Sequence, residues 1–103
     1  MPPDIALAQE YKRRVLQAFD GRVAKVVLYG SRARGDARAD SDWDIAVFLT
    51  DGPTPDDLDR LSDLGTDLLY DTGQFVQPMP IRSHRLQEDS SLLKAIRSEG
   101  IPL

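Results

Sequence analysis

The feature that most limits the fold is the alternation of amphipathic segments with short, apolar, β-branched segments. Apolar residues at a spacing of three or four predict helices, and short β-branched runs predict strands. The predicted strands span 22–29, 43–49 and 74–81, and the predicted helices span 4–20, 54–70 and 89–99. The order helix–strand–strand–helix–strand–helix predicts an α+β fold, in which helices pack on a small mixed β-sheet.

Local chemistry marks where several of these elements begin and end. Asp4 is predicted to cap the first helix, and Gly21 is predicted to end it. Thr54 followed by proline is a typical helix start, with the threonine as cap and the proline in the first turn. Pro78 and Pro80 cannot donate backbone hydrogen bonds, so the third strand is predicted to be an edge strand or a bulged one.

Composition narrows the class of protein. The 103 residues suit one domain, predicted to span 1–103, and the net charge of −4 argues against a protein that binds duplex DNA. No cysteine is present, so disulfides and thiolate metal sites are excluded. No apolar run reaches the roughly 18 residues that a membrane span requires, and the first four residues do not resemble a signal peptide. A cytoplasmic location is expected.

Two aspartates one residue apart, Asp42 and Asp44, stand at the start of the second predicted strand. Side chains on a strand alternate between its faces, so both carboxylates are predicted to project from one face, away from Trp43. Two close carboxylates repel each other unless a cation lies between them. Carboxylate oxygens completed by substrate phosphates are ligands that Mg²⁺ prefers. We therefore predict that Asp42 and Asp44 bind Mg²⁺.

A glycine-containing loop follows the first predicted strand. Gly30 has no side chain, so the backbone can approach a ligand closely, and a short helix beginning at Ser31 would direct free N–H groups toward a phosphate. The Ser31 hydroxyl could donate to the same phosphate, and Arg32 and Arg34 could neutralise its charge. We therefore predict that Gly30, Ser31, Arg32 and Arg34 bind a nucleotide.

A simpler interpretation is that these residues form an ordinary turn followed by ordinary loop acids. Asp44 argues against it, because a carboxylate within an apolar strand is unfavourable without a specific role. Trp43 is predicted to lie in the core, and His84, the only histidine, on the surface. Acidic residues of the second long helix are predicted to form a solvated face. They are Asp56, Asp57, Asp59 and Asp63.

The segment 28–48, which contains Gly-Ser, ten intervening residues and Asp-Trp-Asp, resembles the signature of the DNA polymerase β-like nucleotidyltransferase superfamily. It is similar in particular to the minimal nucleotidyltransferases, small bacterial proteins found as antitoxins beside a helical toxin. The closing segment 96–103 also resembles the end of these domains. The resemblance implies a polymerase-β-type fold and a Mg²⁺-dependent transfer of a nucleoside monophosphate from ATP or another triphosphate, with Asp42 and Asp44 as the catalytic residues.

The sequence departs from that family in one respect. Active members place a third carboxylate on a later strand, and the corresponding segment 74–81 contains no acid. Gln77 is the predicted occupant of that position, and Asp71 could replace it only if the backbone bends. An amide binds metal weakly and cannot act as a base, so nucleotide binding with weakened or absent transfer is expected.

Two functional hypotheses remain open. In the first, the chain transfers a nucleoside monophosphate to a partner protein, as an antitoxin of a toxin–antitoxin pair. In the second, it is a catalytically impaired module that binds a nucleotide or a partner. A helical toxin or a second copy of the chain is the expected partner, since a minimal domain leaves its nucleotide site open on one side.

Overall fold

The computed structural model describes residues 5–103. Asp4, the predicted cap, lies outside these residues. The helices are α1 (Ala6–Phe19), α2 (Ser31–Arg34), α3 (Pro55–Thr72) and α4 (Ser91–Glu99), with a 3₁₀ helix at Ser83–Gln87. The strands are β1 (Val23–Tyr29), β2 (Trp43–Leu49), β3 (Val76–Arg82) and β4 (Ile101–Pro102). None of the helices within residues 5–103 has the length and apolarity that a membrane crossing requires.

The four strands form one mixed sheet in the order β3-β2-β1-β4. β1 pairs antiparallel with β2 and β4, whereas β2 and β3 are parallel because α3 carries the chain back between them. This arrangement confirms the predicted α+β class with a small mixed sheet. β4 was not predicted, because two residues that include a proline give no strand pattern of their own.

Hydrophobic side chains pack on both faces of the sheet. One cluster lies between the sheet and the helices α1 and α3, with Tyr11, Leu61 and Trp43 among its buried members. The other lies between the sheet and α4, with Phe48 and Ile96 among its members. β2 is therefore apolar on both faces along most of its length, which explains why its sequence shows a continuous apolar run rather than alternation. The core position of Trp43 confirms the prediction.

The start of α3 is held by a buried ion pair. Thr54 caps the helix by accepting from the Asp57 N–H, and the Asp57 carboxylate accepts from the Thr54 N–H in return. The guanidinium of Arg22 donates to both carboxylate oxygens of Asp57 at 2.9 and 2.8 Å. The predicted cap is confirmed, but the prediction that Asp57 is solvated was wrong, because the carboxylate is buried against Arg22. The other three acids of that predicted face are exposed.

β3 forms one edge of the sheet, as its prolines predict. The Trp43 N–H donates to the Phe75 carbonyl at 2.9 Å, so the backbone groups of Phe75 point toward β2. Successive residues of a strand direct their backbone groups to opposite sides, so every second residue after Phe75 also points toward β2. Residues 77, 79 and 81 therefore direct their backbone groups toward β2, and residues 76, 78 and 80 direct theirs outward. Pro78 and Pro80 thus occupy positions where no ladder hydrogen bond is lost.

The ion pair at the start of α3 generates a stability prediction. Arg22 holds the pKa of the Asp57 carboxyl well below its ordinary value through hydrogen bonds, with help from Thr54. We expect Asp57→Asn to lower the free energy of unfolding at neutral pH by roughly 1–3 kcal/mol, because the buried carboxylate is lost and the Arg22 guanidinium keeps only the exposed Asp51 as its counter-ion. Urea denaturation followed by circular dichroism measures this difference.

The same pair sets a pH dependence. Asp57 binds a proton more readily in the unfolded chain, so its stabilisation is present above about pH 4, the ordinary carboxyl pKa, and is lost as the pH falls further. The difference between the wild type and Asp57→Asn should therefore shrink on acidification. Asp59→Asn, on an exposed acid two residues further along α3, serves as the matched control and should change stability by less than about 0.5 kcal/mol. Equal losses in both variants would contradict the assignment.

Candidate nucleotide and metal site

The site lies where β1 ends and β2 begins. The antiparallel register pairs Tyr29, the last residue of β1, with Asp44, the second residue of β2. Gly30 and the short helix α2 follow directly, so the turn after β1 lies beside the acidic end of β2. The structure therefore brings the predicted phosphate loop and the predicted metal ligands together.

Gly30 and Asp44 are in close contact. A Cβ atom built on Gly30 would clash with Oδ2 of the Asp44 side chain, so that carboxylate would have to move. Gly30 also has φ of +76°, in the region that favours glycine. The backbone conformation therefore favours glycine here, and the Asp44 carboxylate occupies the space that a side chain would fill. Close approach of this backbone to a ligand stays a prediction.

Burial and neighbouring charges shift the pKa of the Asp44 carboxyl. Burial raises the pKa of the Asp44 carboxyl above its ordinary value, and the negative charge of Asp42 raises it further, whereas Arg34 lowers it. Asp42 lies one residue before β2 and is exposed. The negative charge of Asp42 disfavours ionisation of the Asp44 carboxyl, and a cation shared by the two acids stays a prediction.

Arg34 connects the loop to the acids around it. Its guanidinium pairs with Asp36 at 3.2 Å and with Glu99 at 3.1 Å, and it is the positive charge that acts on Asp44. Ser31 begins α2 and is half-buried. The first N–H groups of this helix have no partner within it, because no helical residue precedes them. Ser31 and Arg34 thus lie where the sequence predicts phosphate contacts.

Arg32 makes a different set of contacts. Its guanidinium donates to the carbonyls of Ala39 and Ser41, at 3.2 and 2.8 Å, and lies 4.5 Å from the centre of the Trp43 ring. Trp43 in turn donates to the Gln74 side chain at 2.7 Å. Arg32 therefore joins α2 to the loop that precedes Asp42, on the Trp43 side of β2. Its contact with a nucleotide stays a prediction.

Gln77, the predicted occupant of the third carboxylate's position, lies on β3 beside the start of β2. Parallel pairing places Gln77 of β3 in register with Asp44 of β2, so the two residues project from the same face of the sheet. Asp71, the other residue considered for this role, lies within α3 and pairs with Arg14 of α1 at 2.9 Å. Asp71 therefore belongs to the contact between those two helices.

The residues present fit a divalent cation that also binds phosphate oxygens. Within residues 5–103, no group of three or more His, Cys, Asp or Glu side chains is arranged to hold a metal ion. Asp42 and Asp44 provide two carboxylates that repel each other, and Gln77 adds an amide oxygen in register. Mg²⁺ commonly binds through one or two carboxylates together with substrate phosphates, so two acids suffice for a phosphate-bound ion.

Comparison with known proteins agrees with this geometry. The sequence pattern of the family described as "Polymerase beta, Nucleotidyltransferase" matches residues 13–103, which is most of the chain. The chain belongs to this nucleotidyltransferase family. The resemblance predicted from segment 28–48 is thereby confirmed, and the chain is a minimal member of the family.

Two curated relatives come from Methanocaldococcus jannaschii, and each is named "Putative protein adenylyltransferase". One is 37% identical over 68 residues, which cover 66% of this chain and 63% of the relative. The other is 32% identical over 50 residues, which cover 48% of this chain and 50% of the relative. The chain thus matches between half and two thirds of the length of these relatives.

Solved structures share the fold. A "putative minimal nucleotidyltransferase" superposes with a TM-score of 0.64 at 28% identity, over 97% of this chain and 96% of that one. A toxin–antitoxin with AMP-PNP gives 0.64 at 20% identity, over 91% and 70%. A tri-AMPylated HEPN toxin of Shewanella oneidensis in complex with an MNT antitoxin gives 0.55 at 17% identity, over 93% and 70%. These likenesses establish the polymerase-β-type nucleotidyltransferase fold.

The contact between Gly30 and Asp44 generates the second prediction. Gly30 and Gly35 both have positive φ, but a Cβ on Gly35 would meet no atom within 4 Å. We expect Gly30→Ala to lower the free energy of unfolding by about 1–3 kcal/mol more than Gly35→Ala, because only the former adds a clash to the backbone strain. Chemical denaturation of both variants measures the difference.

A double mutant tests the cause of that difference. Asp44→Ala removes the carboxylate that the new methyl group would meet, so Gly30→Ala should cost less in the Asp44→Ala background than in the wild type. Additive effects of the two substitutions would show that strain, and not the carboxylate, explains the loss.

Proposed function

We propose that this chain binds a Mg²⁺-bound nucleoside triphosphate, with ATP as the favoured nucleotide, and transfers the nucleoside monophosphate to a partner protein. The observation that carries the proposal is the register of Tyr29 with Asp44, which puts the Gly30–Ser31 loop against the two acids. The adenylyltransferase names of the curated relatives and the AMP-PNP in a solved structure of the same fold support ATP as the nucleotide.

Each side chain then has a defined task. The Ser31 hydroxyl and the backbone of the loop bind the terminal phosphates, and Arg34 neutralises their charge. Asp42 and Asp44 hold Mg²⁺, which when bound neutralises phosphate charge and orients the triphosphate. Arg32 fixes the loop that carries Asp42 through the carbonyls of Ala39 and Ser41. Catalysis by such a site consists of positioning and charge neutralisation.

Transfer by this site is expected to be slow, because one acid is replaced by an amide. Gln77 stands in register with Asp44, where a further acid would assist the attacking hydroxyl, and an amide cannot accept its proton. The second candidate function is therefore a module that binds nucleotide and partner with little transfer of its own. Gln77 is the specific observation that favours this candidate.

A toxin partner is proposed from the neighbours of the fold. Several solved structures with this fold are toxin–antitoxin complexes, and one contains an AMPylated HEPN toxin. We propose that this chain acts as an antitoxin that binds a helical toxin at the nucleotide site. Self-association of the chain is the competing arrangement.

Binding of the triphosphate generates the third prediction. Mg²⁺-ATP should raise the melting temperature of the wild type, because a ligand selective for the folded state stabilises it. Asp44→Asn should lose most of that shift, since a neutral amide binds the cation much more weakly than a carboxylate does. Asp63→Asn, an exposed acid on α3, is the control and should keep it. Equal shifts in all three proteins would remove Asp44 from the site.

Transfer activity generates the fourth prediction. With α-labelled ATP, Mg²⁺ and the protein product of the adjacent gene, wild-type label transfer should be slow, and Gln77→Asp should increase it about a hundredfold, the lower end of the range for a positioned general base. Gln87→Asp is the matched control, because Gln87 lies in the 3₁₀ helix outside the site, and it should leave the rate unchanged. No gain in a folded Gln77→Asp protein that still binds ATP would assign the base to another group.

A further inference from the structure

Glu99, the last residue of α4, reaches the loop after β1. Its Oε1 atom accepts from the Gly30 N–H at 3.3 Å and from the Arg34 guanidinium at 3.1 Å. The side chain is 26% exposed, so the carboxylate lies partly shielded from water. One carboxylate oxygen thus contacts both a backbone donor and a cation of the predicted phosphate loop.

The fold fixes the position of this carboxylate. Leu93 and Ile96 of α4 are buried in the second cluster. A Cβ atom on Gly100 would lie 2.5 Å from a methyl carbon of Val27 and closer still to the Ile96 carbonyl oxygen. Only glycine at position 100 lets the end of α4 lie this close to β1. Because α4 ends there, the Glu99 side chain lies beside Gly30.

Both contacts of Glu99 are made with donors of the predicted phosphate loop, the Gly30 N–H and the Arg34 guanidinium. No group of three acidic or histidine side chains within residues 5–103 is arranged to hold a metal. The contacts of Glu99 are instead those that an anionic ligand would make, since a carboxylate and a phosphate accept the same hydrogen bonds.

We propose that Glu99 is a specificity-determining residue that occupies the phosphate-binding donors as an internal anion. The inference rests on the proposed function, because it assumes that triphosphate binds at Gly30 and Arg34. A phosphate must displace Glu99 and then lie beside its negative charge. Metal-free ATP carries more negative charge than its Mg²⁺ complex, because the bound ion neutralises part of the triphosphate charge, so Glu99 repels the metal-free form more strongly. Glu99 thereby favours the metal-bound form.

Calorimetric titration of the full chain tests this with two ligands, ATP in EDTA and ATP in Mg²⁺. Glu99→Gln keeps the shape of the side chain and removes its charge. We expect its affinity for metal-free ATP to rise about tenfold, the effect of removing one charged competitor for two donors, and its affinity for Mg²⁺-ATP to rise less. The ratio of the affinity for Mg²⁺-ATP to the affinity for metal-free ATP should therefore be lower in Glu99→Gln than in the wild type.

Glu88→Gln is the matched control. Glu88 is exposed and its contacts are with Arg85 and Arg97, so the variant has the same change in net charge without a change at the loop. It should leave both affinities within about twofold of the wild type, as expected when one well-screened surface charge is removed. A Glu99→Gln protein that binds like Glu88→Gln, or binds either ligand more weakly than the wild type, would overturn the inference.

Two further measurements keep the test decisive. The Gly30 amide resonance should shift in Glu99→Gln, because the hydrogen bond from that amide loses its charged acceptor; an unchanged resonance would count against the contact. If Glu99→Gln does not fold, Glu99→Asp retains the charge on a shorter side chain that withdraws from Gly30, and it should also gain affinity for metal-free ATP.

Failure of this inference differs from failure of the proposed function. If the wild type binds Mg²⁺-ATP, Asp44→Asn loses that binding and Glu99→Gln behaves as the control, only the role of Glu99 is refuted. If the wild type and Glu99→Gln bind neither ligand, the nucleotide site itself is refuted, and the role of Glu99 with it.

Discussion

The pairing register between β1 and β2 is the constraint on which the site depends. A shift by one residue would turn Asp44 to the opposite face, into the cluster that holds Trp43, where a carboxylate would lie among apolar side chains. The apolar residues of β2 exclude that shift, since each face of the strand has its own packing partners. The hydrophobic core thus positions the acid, although it makes no contact with a ligand.

The candidate site has a negatively charged half next to a half that offers hydrogen-bond donors and a positive charge. Asp42 and Asp44 repel each other on one side, and Gly30 N–H and Arg34 attract anions on the other. Arg34 acts on both halves, because it lowers the pKa of Asp44 and also pairs with acids of the loop and of α4. A metal-bound triphosphate would supply a cation to the first half and an anion to the second, and this complementarity supports it as the proposed ligand.

Sequence reasoning succeeded where structure follows from local chemistry. The apolar run of β2 predicted its bounds to the residue, and the threonine and proline before α3 predicted its start. Sequence reasoning failed where a contact joins distant segments.

Asp57 has the sequence context of a solvated acid, and its burial depends on Arg22, 35 residues away. Glu99 meets Gly30 across 69 residues, and the two-residue β4 forms only because α4 ends against β1. Spacing along the chain contains no signal for such pairs.

The outer edge of β3 has a consequence for how the protein meets other chains. With prolines at 78 and 80, two of the four outward-facing residues of the strand offer carbonyl groups and no N–H. A strand from another molecule needs alternating donors and acceptors, and it would find only acceptors at the middle of this edge. Sheet extension between copies is therefore disfavoured at this side by the prolines and not by a covering element.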